Sequence, residues 1–159
     1  YIANTITAWP QTDLFPNFSI PPFVRVPATM APFGQSCAGP SGLPTFTASV
    51  APDVGETTDF TIGNAGPLRL VVTMLGVQQY FVHLAFAGAP NCWLYTDPIL
   101  TFLGLTNATG SAKLPWETPA DPSFVGLDVI AQGVVLEPAA NQAGLITTRG
   151  LSMSLGGWQ

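Results

Sequence analysis

Two cysteines and one histidine are the residues of this chain best suited to redox, metal or nucleophilic chemistry. Cys37 and Cys92 do not belong to a CxxC pair, and with His83 alone they offer no zinc ligand set. The even cysteine count and the composition favour a disulfide in an exported protein, with two unrelated buried thiols as the alternative. Such a disulfide closes a loop of about 56 residues, which the chain-entropy model values at about 4 kcal/mol.

Acid–base catalysis has few candidate groups in this sequence. His83 would have to be the base of any Ser-His-Asp set, and the chain contains no Gly-x-Ser-x-Gly motif to supply the nucleophile. Glu117 and Asp121 could form a glycosidase carboxylate pair, but they flank prolines in a predicted surface loop. Because few titratable groups converge, we predict that the protein is not an enzyme and uses no cofactor.

Three acids could in principle bind a cation. Asp53, Glu56 and Asp59 lie three residues apart around Gly55, and oxygen ligands on a loop suit Ca²⁺. Their spacing differs from that of the EF-hand loop, and acids on a turn are usually only solvated. We therefore predict no metal site.

Carbohydrate could be bound by tryptophan side chains or attached covalently to asparagine side chains. Four tryptophans could stack on sugar rings, or could instead fill the core or a subunit contact: Trp9, Trp93, Trp116 and Trp158. Two Asn-x-Ser/Thr triplets begin at Asn17 and Asn107, which makes these residues candidate glycosylation sites.

Length and charge exclude several classes of protein. The chain has 159 residues, which suits one domain, and only 8% of them are charged, against about 25% in an average soluble domain. Its 4 Lys and Arg residues are scattered, so we expect no nucleic-acid binding. No uncharged apolar run approaches 18 residues, so we expect no membrane span. The chain starts at Tyr1 rather than Met, as expected if a leader has been removed or the chain trimmed.

The elements that must position these residues are predicted to be strands. The 16 Gly and 16 Pro disfavour helices, and 47% hydrophobic residues is too many for a disordered chain. Alternating or continuous apolar runs separated by turn signals predict nine strands: 43–51, 57–62, 68–75, 79–86, 99–103, 111–116, 125–136, 144–148 and 151–155. This spacing predicts an all-β protein, an antiparallel β-sandwich of about eight to nine strands, with an up-and-down barrel as the alternative.

Residues 1–33 differ from the rest of the chain, and we predict an extended, Pro-rich N-terminal arm there, followed by a sandwich domain over 34–159. The arm contains six prolines, which exclude a helix. Residues 1–8 contain no proline and alternate, so a strand there would place its odd and even side chains on opposite faces. We predict that this assembly arm adds to a sheet edge of a neighbouring copy, through Tyr1, Ile2, Asn4, Ile6, Ala8 and Trp9. It could instead pair with its own domain or be a linker.

Several motifs resemble one family. The segments are GQSCAG at 34–39, GAPNC at 88–92, TNATGSA at 106–112, DPSFVGL at 121–127, AQGVVLEPAAN at 131–141 and TRGL at 148–151. Over residues 34–156 the chain is similar to a C-terminal β-sandwich domain family of large secreted bacterial proteins. The resemblance implies export, a Cys37–Cys92 bridge and a sandwich fold, and it brings no established catalytic activity.

Together these features predict a secreted, extracellular or cell-surface structural protein. It would be a filament or surface-layer subunit that forms a homo-oligomer or polymer through its N-terminal arm. The alternative function is a carbohydrate-binding or adhesive module with glycan partners.

Overall fold

The computed structural model of the chain describes residues 23–159, so the predictions for residues 1–22 lie outside the described residues. The described part contains twelve strands and two short 3-10 helices. The strands are β1 Arg25–Val26, β2 Thr29–Phe33, β3 Thr45–Ala48, β4 Thr57–Gly63, β5 Leu70–Gly76, β6 Gln79–His83, β7 Trp93–Thr96, β8 Leu100–Leu105, β9 Ala112–Glu117, β10 Asp128–Leu136, β11 Leu145–Ser154 and β12 Gly157–Trp158. The 3-10 helices are Leu84–Ala87 and Pro122–Phe124.

Two antiparallel sheets form the body of the protein, which confirms the predicted all-β sandwich. The larger sheet has the order β2-β11-β10-β5-β8, and the smaller has the order β3-β4-β9. Two further ribbons, β1-β12 and β6-β7, lie outside them. Within residues 23–159, β2 and β8 each end the larger sheet, so its strands do not close into the alternative barrel.

Alternating side chains build the core between the sheets. In β4 and β9 every second residue is buried, and Phe60 of β4 lies opposite Leu114 of β9. Phe60 stacks on Phe46 at 5.5 Å and on Trp116 at 5.9 Å between ring centroids. Burying one such ring removes on the order of 200 Å² from water, about 5 kcal/mol of transfer free energy.

The long hairpin of β10 and β11 differs from the prediction. The two strands predicted at 144–148 and 151–155 are one strand, β11, which runs through Gly150. Gly150 does not break the strand; a Cβ there would lie 2.5 Å from the Phe33 ring, so the glycine makes room for that ring. The register of this hairpin shifts between Gln132 and Val134, as at a β-bulge.

Four observed strands were not predicted, namely β1, β2, β7 and β12, and two of them lie within the predicted arm. β2 lies within the predicted arm, yet it pairs along β11 from Phe33↔Gly150 to Thr29↔Ser154. β1 pairs with β12. Residues 25–33 therefore belong to the sheets of the domain, and an arm can comprise only residues before them.

Candidate functional site

The predicted disulfide is present: Cys37 and Cys92 are bonded, with their Cα atoms 4.9 Å apart. Both residues are buried, and the amide of Thr147 in β11 donates to the Cys37 sulfur at 3.0 Å. Cys37 follows β2 and Cys92 immediately precedes β7. The bond therefore ties the β6-β7 ribbon to the larger sheet.

A buried glutamine holds the same ribbon over the outer face of the larger sheet. Gln132 of β10 is fully buried, and its side-chain oxygen accepts from the Tyr95 amide at 2.8 Å. Its side-chain nitrogen donates to the carbonyls of Trp93 at 2.8 Å and Thr148 at 2.9 Å. Because this amide has two partners on β7 and one on β11, the ribbon has one defined position over β10 and β11.

The ribbon leaves the Leu70 end of β5 and the outer side of β8 uncovered on that face, whereas Met74 farther along β5 is buried. In β5, Val71 and Leu75 are buried toward the core, so Leu70 points to the other face. Leu70 pairs with Leu105, and the exposed leucines on this face are Leu70 (37%), Leu103 (69%), Leu105 (66%) and Leu136 (39%). We name these four residues the leucine strip.

Strand β8 also has a free backbone edge, and it differs from the other three edges of the two sheets. β2 carries Pro32, β9 carries Pro115 together with Lys113 and Glu117, and β3 has only four residues. Proline, charge and short length are the features that protect edges from pairing with another chain. β8 has six residues, Leu-Thr-Phe-Leu-Gly-Leu, with no proline and no charge.

The tryptophans have different environments. Trp116 is buried in the core stack and cannot contact a sugar. Its burial follows from the alternation of β9, in which Trp116 lies on the same face as Ala112 and Leu114. Trp93 lines a shallow groove of about 300 Å³ with Phe81, Tyr95 and Gln35, and its ring lies 4.7 Å from His83. Trp158 is 61% exposed. Trp9 lies outside the described residues.

The three acids considered for calcium do not gather into one cluster. Asp53 pairs with Arg25 at 2.6 Å, and Asp59 pairs with Lys113 at 2.8 Å. Glu56 lies on the intervening turn and is exposed. Within residues 23–159 no three His, Cys, Asp or Glu side chains are grouped as metal ligands would be.

The remaining candidate residues have local roles. Asp121 caps the 3-10 helix Pro122–Phe124, and the Ser123 amide that donates to it at 2.9 Å holds the pKa of Asp121 below its ordinary value. Glu117 is exposed at the end of β9, and His83 is exposed at the end of β6. Asn107 is exposed, and its side-chain oxygen accepts from Thr109 and Ser111. Asn17 and the assembly-arm residues lie outside the described residues, so both glycosylation and the arm stay predictions.

One end of the sandwich contains an apolar cavity of about 220 Å³. Its lining includes Leu75, Leu100, Trp116, Leu127 and Leu155, and none of the lining side chains titrates. The cavity can hold an apolar group but offers no chemistry. In the described part of the chain, helices are too short and too few to provide a membrane span.

Comparison with known proteins identifies no relative. No family model, no curated protein and no solved structure matches this chain. The resemblance to secreted bacterial β-sandwich domains therefore stays a prediction.

Proposed function

We propose that this protein is an extracellular structural subunit that polymerises by strand addition. Residues 1–8 of one copy would pair with the free edge of β8 on the next copy and extend its larger sheet. The observation that carries this proposal is the unprotected edge of β8 beside the leucine strip. Because donor and acceptor lie on different parts of the chain, the contact is heterologous and can propagate from copy to copy.

The backbone of β8 supports the acceptor role. It pairs with β5 over Leu100–Leu105, and no other strand in the described part of the chain pairs with it. In an antiparallel ladder alternate residues point their N–H and C=O groups away from the partner, so an added strand would find unpaired groups there. Main-chain hydrogen bonds of this kind supply affinity in strand addition.

The leucine strip supplies the apolar part of the contact. Full burial of a leucine side chain is worth about 1.5–3 kcal/mol, and Leu103 and Leu105 are 69% and 66% exposed. Covering both would contribute about 2–4 kcal/mol, which is roughly thirtyfold to several-hundredfold in an association constant.

The proposed donor has the matching pattern and reach. As a strand, residues 1–8 would place Ile2, Asn4, Ile6 and Ala8 on one face, and they contain no proline. Residues 9–22 lie between the donor and the domain, and an extended Pro-rich chain of that length spans about 40 Å at 3.1 Å per residue. This is long enough for the donor to reach a neighbouring sandwich.

An extracellular location and a non-catalytic role complete the proposal. The Cys37–Cys92 disulfide is compatible with an oxidising compartment. Charged residues make up only 8% of the chain, a composition that suits a surface covered by neighbouring copies. The carboxylates of Asp53 and Asp59 are engaged in ion pairs rather than grouped around His83.

Light scattering on three variants tests the proposal. We expect the full chain to polymerise, and both deletion of residues 1–9 and the edge variant Leu103→Lys to leave monomers. Met30→Lys is the matched control, because Met30 is 38% exposed on β2, the other edge of the same sheet, and should not affect assembly. Circular dichroism would check that each variant is folded.

Three results would overturn the proposal. The first is a full chain that stays monomeric at high concentration, as expected if residues 1–8 pair with their own domain. The second is a deletion variant that still polymerises. The third is equal loss of assembly in Leu103→Lys and Met30→Lys, which would show that the edge of β8 has no special role.

A further inference from the structure

We propose that a pocket beside Trp158 binds a neutral or amino-substituted pyranose unit of a glycan. The pocket has a volume of about 300 Å³, and its chemically active lining consists of Arg25, Asp53, Glu56 and Trp158. We name it the Trp158 pocket. This inference is independent of the assembly proposal, because none of these residues lies on β8 or the leucine strip.

The β1-β12 ribbon builds the aromatic wall. Val24 and Gln159 exchange both backbone hydrogen bonds at 3.0 Å, so Arg25 and Trp158 form the next, non-hydrogen-bonded pair. In such a pair the two side chains share a face and approach most closely. The indole is 61% exposed, so it presents an apolar surface beside a guanidinium.

A tight turn supplies the polar wall. The Glu56 amide donates to the Asp53 carbonyl at 3.1 Å, and Gly55 between them has φ of 81°, which favours glycine. The turn is anchored because the Val54 amide donates to the Gly156 carbonyl at 2.9 Å. One Asp53 oxygen lies 2.6 Å from the Arg25 guanidinium. The Arg25–Asp53 ion pair and the exposed Glu56 carboxylate therefore line the same concavity.

These groups match the surface of a sugar ring. The C–H face of a pyranose is apolar and can cover an indole, while its hydroxyls can donate to the Glu56 carboxylate and accept from the Arg25 guanidinium. The formal charge of the lining groups is −1, so uronic and sialic acids would be repelled and an ammonium group tolerated. The groove beside Trp93 is lined by Gly34, Gln35, Phe81, Trp93 and Tyr95, which include no carboxylate and no cation.

Isothermal titration of the full chain tests the inference with a defined panel. The neutral probes are cellohexaose, maltohexaose and N-acetylchitohexaose, the basic probe is chitosan hexamer, and the acidic probe is hexagalacturonate. We expect at least one neutral or basic probe to bind and hexagalacturonate not to bind. Trp158→Ala should weaken binding about tenfold or more, as expected for an aromatic anchor. Trp93→Ala is the control and should leave the Kd unchanged.

A second variant tests the charge argument. Glu56→Gln removes one carboxylate without changing the shape of the side chain. It should therefore weaken the binding of chitosan hexamer more than the binding of the neutral probes. An unchanged thermal midpoint would show that Trp158→Ala and Glu56→Gln are folded, as expected for exposed side chains. Repeating the titrations in Leu103→Lys separates glycan binding from assembly.

Several results would overturn the inference. One is that no neutral or basic probe binds at 10 mM, and another is that Trp158→Ala binds as the full chain does. Loss of binding in Trp93→Ala alone would assign the sugar to the other groove. Loss of polymerisation in Trp158→Ala without any glycan binding would assign Trp158 to a contact between copies.

Discussion

Reduction of the Cys37–Cys92 disulfide is expected to lower the free energy of unfolding by about 4 kcal/mol. The bond joins residues separated by 55 positions, so its loss lets the unfolded chain explore many more conformations. The folded state should change little, because the ribbon that the bond holds is also fixed by Gln132.

This magnitude is large compared with the stability of a domain. The free energy of unfolding of a typical domain is about 5–15 kcal/mol. The disulfide would therefore contribute about a quarter of it in a very stable domain and most of it in a marginally stable one. At about 2–4 °C per kcal/mol for a chain of this length, the thermal midpoint should fall by about 8–16 °C.

Guanidinium chloride unfolding with and without a phosphine reductant measures the change. The variant Cys37→Ala with Cys92→Ala is the control, because it removes the bond without any reductant and should lose a similar free energy. A difference below about 1 kcal/mol in both experiments would refute the loop-entropy reasoning. Two free thiols in the untreated protein would refute the bond itself.

Two further predictions concern the stability of the sandwich. Phe60→Ala should lower the free energy of unfolding, measured in urea, by about 3–5 kcal/mol, because Phe60 is fully buried between Phe46 and Trp116. In the control Leu103→Ala the altered residue is 69% exposed, so the free energy of unfolding should change by less than about 0.5 kcal/mol. Equal effects would contradict the packing described for the core. Arg69→Met should lower the free energy of unfolding by about 2–3 kcal/mol, because it leaves the buried Glu137 carboxylate without the guanidinium 2.7 Å away. A smaller loss of stability than in Leu103→Ala would contradict this role of the ion pair.

Local sequence patterns were sufficient for the strands with clear alternation. In β4 and β9, apolar and polar residues alternate with the period of a strand, and the predicted segments differ from the observed ones by only a residue at either end. The same alternation contains the information that Trp116 is buried. The bonding of Cys37 to Cys92 was also predictable from the cysteine count and the composition.

Strands whose formation depends on distant partners were missed. β2 contains Pro32 and is mostly exposed, so only its pairing with β11, more than a hundred residues later in the chain, makes it a strand. β7 lies between turn signals and is held by side-chain bonds from Gln132. No local pattern reports such contacts, because their free energy comes from residues far apart in sequence.

The sequence by itself determined the strand class, the buried faces of the alternating strands and the disulfide. Only the tertiary structure decided which strands lie at the edges, and therefore that the unprotected one is β8. It also placed Trp158 beside Arg25, Asp53 and Glu56, although Trp158 is about a hundred residues or more from each of them in the sequence. The physical reason is that periodicity is set by the backbone of one strand, whereas edges and pockets are set by the order in which distant strands pair.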